Sequence, residues 1–181
     1  PFIALALVFG FFAVVDSLRN GERAAFLTSR NLQTIAIQTA PIIVAGLGMT
    51  LIIISGGIDL SAGTAIALCA TVLAWGLKAG LSAPVCLLCS MFAGVLIGAV
   101  NGTLISKLRV VPFIITLGTM TFALGIAKII AGETTLRPAL NQIPAWLSGL
   151  LSTSQPLFLS LPSGVWIAVA LSLSLAMILN W

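Results

Sequence analysis

The sequence holds no histidine and no tyrosine, and only eight basic and four acidic side chains among its 181 residues. Without histidine, the commonest general base, the usual zinc ligand and every histidine-dependent triad are gone. An ordinary soluble domain carries roughly 25% charged residues; here the share is 7%. So thin a charge cover excludes a soluble globule, a nucleic-acid binder and a disordered tail. Three cysteines, Cys69, Cys86 and Cys89, all lie in apolar runs and cannot staple a secreted fold. No HExxH, no GxSxG and no pair of acids within an apolar run is present, so no catalytic constellation assembles.

What is there is apolar. Hydrophobic residues make up 60% of the chain, and the mean hydropathy is +1.22. That combination points to an integral membrane protein. Residues 1–15, 31–58, 60–77, 79–106, 110–127 and 138–181 carry no charge. A membrane helix needs about 20 mainly apolar residues. The expected fold is all-α, a polytopic membrane helix bundle. Its six spans are placed at 2–15 (truncated), 32–54, 62–77, 84–104, 111–130 and 164–181 (truncated). The runs are continuous rather than alternating, which argues against barrel strands. Helices also satisfy their own backbone hydrogen bonds in lipid. The chain opens on Pro1 and closes on Trp181, both in apolar surroundings. It is therefore expected to be the N-terminal part of a longer protein, with 1–181 as one transmembrane domain.

Two connections are sizeable. Residues 16–31 hold Asp16, Arg19, Glu22, Arg23 and Arg30, a solvated charged surface. Residues 131–163 hold Pro138, Pro144, Pro156 and Pro162, and within them 143–152 reads as a short interfacial helix anchored by Trp146. Trp75, Trp166 and Trp181 fall near predicted span ends, where indoles prefer the interface. The net charge of +4 is spread over loops and helix ends, which reads as anchoring and orientation rather than nucleic-acid binding. A raw count of positive charges puts loops 16–31, 78–83 and 131–163 in the cytoplasm, because Arg19, Arg23, Arg30, Lys78 and Arg137 outnumber Lys107 and Arg109.

Several small constellations stand out. Cys86 and Cys89 have CxxC spacing, but lie in an apolar helix without further ligands, so small apolar side chains is the better reading. Cys86, Ser90, Gly94, Gly98 and Gly102 recur every four residues, a stripe suited to close helix packing. Thr34 and Gln38 share a helix face, either at the interface or on a water-filled path. Asn101, Lys107 and Arg109 mark the exit of the fourth span, and Pro112 restarts the chain. The most informative segment is Gly48–Gly63, GMTLIIISGGIDLSAG. Gly56-Gly57 breaks the helix, and Ser55 and Ser61 can cap the broken ends. Asp59 is the only charge between Arg30 and Lys78. The segment reads either as a polar turn or as a broken helix lining a pathway.

Gly48–Gly63, with 101–121 (NGTLISKLRVVPFIITLGTMT), resembles the signature stretches of bacterial ribose/xylose/galactose-type ABC transporter permeases. That group belongs to the wider permease family that includes branched-chain amino-acid permeases. The likeness extends over essentially all 181 residues, equivalent to about the first half of such a permease.

The resemblance implies a bacterial inner-membrane subunit that forms a translocation pathway as a dimer with a second permease subunit. An ABC ATPase subunit would dock on the cytoplasmic face and bind the ATP; this chain would hold no cofactor and catalyse no chemistry. An extracytoplasmic sugar-binding protein would deliver a monosaccharide. Loops 16–31 and 131–163 would face outside, as docking candidates for that binding protein, and 105–110 inside, the reverse of the raw charge count. The loop that couples to the ATPase would follow Trp181. Gln38, Ser55, Asp59, Ser61 and Asn101 are the pathway candidates, and Ser90, Gly94, Gly98 and Gly102 the helix-packing candidates. Alternatives are a same-family permease for another solute and an ion-coupled secondary transporter, for which Asp59 is the one intramembrane acid.

Overall fold

The computed structural model describes residues 2–152 and 161–179. Pro1, Pro156 and Trp181, each used in the sequence reading, lie outside them. The described chain is helical: α1 Phe2–Asn20, α2 Ser29–Ile54, α3 Ala62–Lys78, α4 Ala83–Leu108, α5 Pro112–Ala131, α6 Ala145–Gly149 and α7 Ser163–Leu179. α1, α2, α4 and α5 are long and apolar enough to cross a membrane, and α3 and α7 are shorter apolar helices. The expected all-α polytopic bundle with six apolar helices is therefore the fold.

The boundaries differ from expectation in two places. α1 runs past Asp16 to Asn20, because the Asn20 amide donates to Asp16 Oδ1 at 2.6 Å, one turn back. α4 continues through Asn101 to Leu108 and stops only where Arg109 turns left-handed at φ 54°. Asn101 is thus no helix exit; it lies two turns inside α4 and is buried.

The chain forms two compact units, 1–44 with 149–181 and 45–148. In the first, the Asp16 carboxylate gathers the loop after α1: its Oδ2 accepts the backbone N–H groups of Ala25 and Phe26, both at 2.7 Å. Phe26 in turn packs its ring against Phe9 and Phe12. Asp16 is therefore spent on backbone donors rather than left as a plain solvated charge. Ala40 on α2 packs with Val165 and Ala168 on α7. Gly164 sits so close to the Leu150 carbonyl that an added Cβ would stand 2.5 Å from its oxygen.

In the second unit, α3 packs on α4 and α5. Leu68, Ile97, Ala123 and Ala127 form one core cluster. Leu77, Ala83 and Cys86 form another, backed by Ile143 and by Leu147 of α6. α6 occupies the middle of the expected 143–152 helix. Trp146 on it and Trp75 near the end of α3 are each about half exposed, as interfacial anchors would be.

Candidate functional site

The site is built where α2 stops and α3 begins. α2 ends in a paired hydrogen-bond lock: Gly56 N–H donates to Ile53 O and Gly57 N–H to Ile52 O, both at 2.9 Å. Gly56 takes φ +78°, which a side chain would strain, so the glycine answers a backbone requirement. The next residue packs closely, since a Cβ on Gly57 would meet Ile52 Cγ2 at 3.2 Å and Pro112 Cβ at 3.6 Å.

Asp59 then folds onto the chain two residues ahead. Its Oδ1 accepts both Ser61 N–H and Ser61 Oγ–H, each at 2.6 Å. Ser61 does not cap α3 with its side chain as expected; its proton goes to Asp59 instead. Its oxygen can then only accept, and Asn101 Nδ2 of α4 donates to it at 2.8 Å. That fixes the amide orientation and leaves Asn101 Oδ1 buried without a partner. Ser61 and Asn101 are 1% and 5% exposed, so the chain Asp59–Ser61–Asn101 runs from a half-buried charge into the unit's interior.

A fourth member comes from α5. Thr116, 2% exposed, accepts Leu60 N–H at 3.2 Å. Its own proton has two acceptors within reach, Ile58 O at 3.3 Å and Phe113 O at 3.2 Å. The broken segment is therefore pinned by α4 through Asn101 and by α5 through Thr116. Sequence reasoning did not single out Thr116. The available signal was a hydroxyl one turn into the helix that Pro112 starts, inside the stretch already seen as a signature.

The other candidates lie apart. Ser55 donates back to Leu51 O at 2.8 Å and does not cap a broken end. It lines a separate cavity of about 250 Å³ with Gly57, Ile105 and Pro112. Gln38 is exposed on α2, in the first unit. Along α4, Ser90 Oγ donates to Cys69 O at 2.8 Å, and a Cβ on Gly94 would meet Cys69 Sγ at 3.2 Å. Gly98 and Gly102 have nothing within 4 Å of such a Cβ. A step of four residues rotates about 40° beyond a full turn, so a strict four-residue stripe winds off the α3 contact. Ile97 and Asn101 take its place there. Cys86 is buried and Cys89 exposed, and both are free thiols. Among the described residues no group of three or more His, Cys, Asp or Glu side chains could hold a metal ion.

Residues 31–180 match the family described as branched-chain amino acid transport system / permease component. The chain belongs to that family. Its relatives include the galactofuranose transporter permease protein YtfT of Escherichia coli (strain K12), 40% identical over 97 residues, 53% of this chain and 28% of that protein. The autoinducer 2 import system permease protein LsrC of Salmonella typhi is 28% identical over 177 residues, 98% of this chain and 47% of that protein. LsrD of Escherichia coli O9:H4 (strain HS), named for the same import system, is 38% identical over 89 residues, 49% of this chain and 27% of that protein. The chain spans about half or less of the length of these curated relatives. No solved structure matches it. The permease family and the run of apolar helices make this a multi-pass protein of the inner membrane, and the sugar-permease resemblance read from Gly48–Gly63 and 101–121 agrees with these relatives.

Proposed function

We propose that the chain is part of the membrane-spanning permease subunit of an ATP-driven monosaccharide importer. The observation that carries this is its 40% identity to a relative named as a galactofuranose transporter permease. Residues 1–181 belong to one transmembrane permease domain, which pairs with a second permease subunit around the pathway. ATP is bound and hydrolysed by a partner ABC ATPase, and an extracytoplasmic binding protein delivers the sugar. The permease holds no cofactor and performs no chemistry; the relatives are likewise named as permeases.

The pathway segment is the α2–α3 break: Asp59 is its half-buried polar group, and Ser61 and Asn101 hold it in shape from the unit's interior; Ser55 and Gln38 are separate polar candidates. Asp59 already accepts two hydrogen bonds from Ser61. That commits it to shaping the break, and argues against an ion-coupled carrier built on this acid. Loops 16–31 and 131–163 face outside and dock the binding protein, and 105–110 faces the cytoplasm.

The family's own description supports a second reading, a permease for branched-chain amino acids. The full-length subunit, reconstituted with its ATPase and binding protein in proteoliposomes, separates the two. Labelled monosaccharide uptake that needs ATP and is competed by sugars, not by L-leucine, is the expected result. Competition by L-leucine alone would put the amino-acid reading in its place, and uptake that follows a proton gradient without ATP would remove both.

A further inference from the structure

An open polar groove lies away from the α2–α3 break, between α3 and α5, with Lys128, Glu133, Thr134 and Thr135 exposed along it. Its volume is about 480 Å³, within the usual range of small-molecule pockets of roughly 300–1,000 Å³. Thr71 of α3 lines one side, and Leu124 and Lys128 of α5 the other; Glu133, Thr134 and Thr135 close it. Lys128 belongs to an apolar helix long enough to cross the membrane. It stands in the last turn of that helix and is exposed, where a lysine can reach the membrane surface.

The backbone explains why these groups converge. Gly132 ends α5 at φ 60°, and Glu133 follows at φ 56°, a left-handed pair that turns the chain sharply back. Glu133 N–H bonds to Lys128 O at 3.0 Å, which holds the turn beside the helix it has just left. A non-glycine residue in that region carries strain. Here the strain sets a carboxylate and two threonines around the lysine. Among the described residues neither charge is held by an ion pair.

The hydrogen-bonding character of the groove follows from these placements. Thr71 donates its proton to Ala67 O at 2.8 Å, and Thr134 donates to Ala131 O at 2.9 Å. Both hydroxyl oxygens are left as acceptors. Glu133 is an acceptor when ionised, and Lys128 offers three donors. Leu124 supplies an apolar wall. The two charges are of opposite sign, and the lining offers both donors and acceptors around a volume larger than one sugar ring. Each hydroxyl of a polyol both gives and takes a hydrogen bond, so it can answer every one of these groups. A lysine that merely reached for the membrane surface would need no such company.

We propose that this groove is a transit site for a neutral, polyhydroxylated solute of monosaccharide size. The proposal rests on the importer reading and adds a second station to it. Absence of an aromatic platform makes binding loose, as a site must be if solute is to leave it again. An aliphatic amino acid could set its carboxylate on Lys128 and its ammonium on Glu133, but would have no use for three threonines.

The test uses the full-length subunit with its ATPase and binding protein in proteoliposomes. The probe is whichever of D-ribose, D-galactose and D-xylose the wild type takes up best. Lys128→Met should lower sugar moved per ATP hydrolysed by about three- to tenfold, with binding-protein-stimulated hydrolysis kept; Glu133→Gln, in a loop that also docks the binding protein, should lower the same ratio of sugar to ATP. As a milder probe, Thr134→Cys should react with a membrane-impermeant maleimide, above the unsubstituted chain, and the sugar should slow that reaction while L-leucine does not. Sugar uptake by the wild type, with an unchanged sugar-to-ATP ratio in the variants and no protection of Thr134→Cys, overturns the groove alone. Protection by L-leucine overturns the polyol assignment, and wild-type uptake of L-leucine without sugar overturns the importer reading as well.

Discussion

Asn101 and Ser61 form the pair on which the broken segment turns, and their hydrogen-bond inventory is asymmetric. Ser61 uses its proton on Asp59 and its lone pair on Asn101. Asn101 uses only its NH₂ group and keeps a buried, unpartnered Oδ1. Removing Ser61's hydroxyl leaves both amide ends of Asn101 buried and unpaired, at a cost of about 1–3 kcal/mol. Replacing Asn101 by leucine removes the orphaned oxygen along with the bond, and the two effects offset. Ser61→Ala is therefore expected to lower the thermal midpoint of the detergent-solubilised full-length protein more than Asn101→Leu. Equal losses, or the reverse order, would mean that Oδ1 is satisfied in the native protein. None of this pairing was visible locally, because the partners are 40 residues apart. A polar residue near the end of an apolar run reads as an exit, and only its distant partner shows that it is an interior contact.

Whole helices were far more legible than their ends or their partners. An uncharged run in lipid has helix as its one open-ended solution, and so the apolar stretches became α1 to α5 and α7. The helix ends depend on side chains that a hydropathy pattern ignores, as Asp16 prolonging α1 and Arg109 closing α4 both illustrate. The stripe from Cys86 to Gly102 was legible as small residues, but which of them meet α3 depends on the 100° step of the helix. The break itself was legible because two adjacent glycines announce it. Its two flanks should respond differently to the same substitution. Gly56→Ala puts a side chain at φ +78° and should cost about 1–2 kcal/mol. Gly63→Ala adds a methyl inside α3, where nothing lies within 4 Å, and should stabilise by up to about 1 kcal/mol. Thermal unfolding of the two variants checks the sign. A stabilising Gly56→Ala would show that α2 and α3 are joined by some other turn.

For the molecule as a whole, the apolar surface and the charges ask different questions. Leu88, Met91 and Val95 on α4 are each about two-thirds exposed, an apolar surface a bilayer or a neighbouring helix would cover and water would not. The surface therefore fixes that the chain lies in the membrane but not which way up. Positive charges are the usual guide to that, and they place Arg137 in the cytoplasm. The family resemblance places it outside and Lys107 inside. Both residues are exposed, one beyond the end of α5 and one near the end of α4, so each can carry a label without disturbing a core. The charge rule counts all the loops of a protein, and this chain is only about half as long as its longest-matching relatives. The resemblance therefore outweighs a count over these loops alone. In a background with Cys69 and exposed Cys89 changed to alanine, Arg137→Cys should react with a membrane-impermeant maleimide on intact spheroplasts of cells expressing the full-length protein. Lys107→Cys should react only after the membrane is opened. The opposite pattern would turn the subunit over, bring loops 16–31 and 131–163 to the ATPase side, and remove both as docking sites for an extracytoplasmic binding protein.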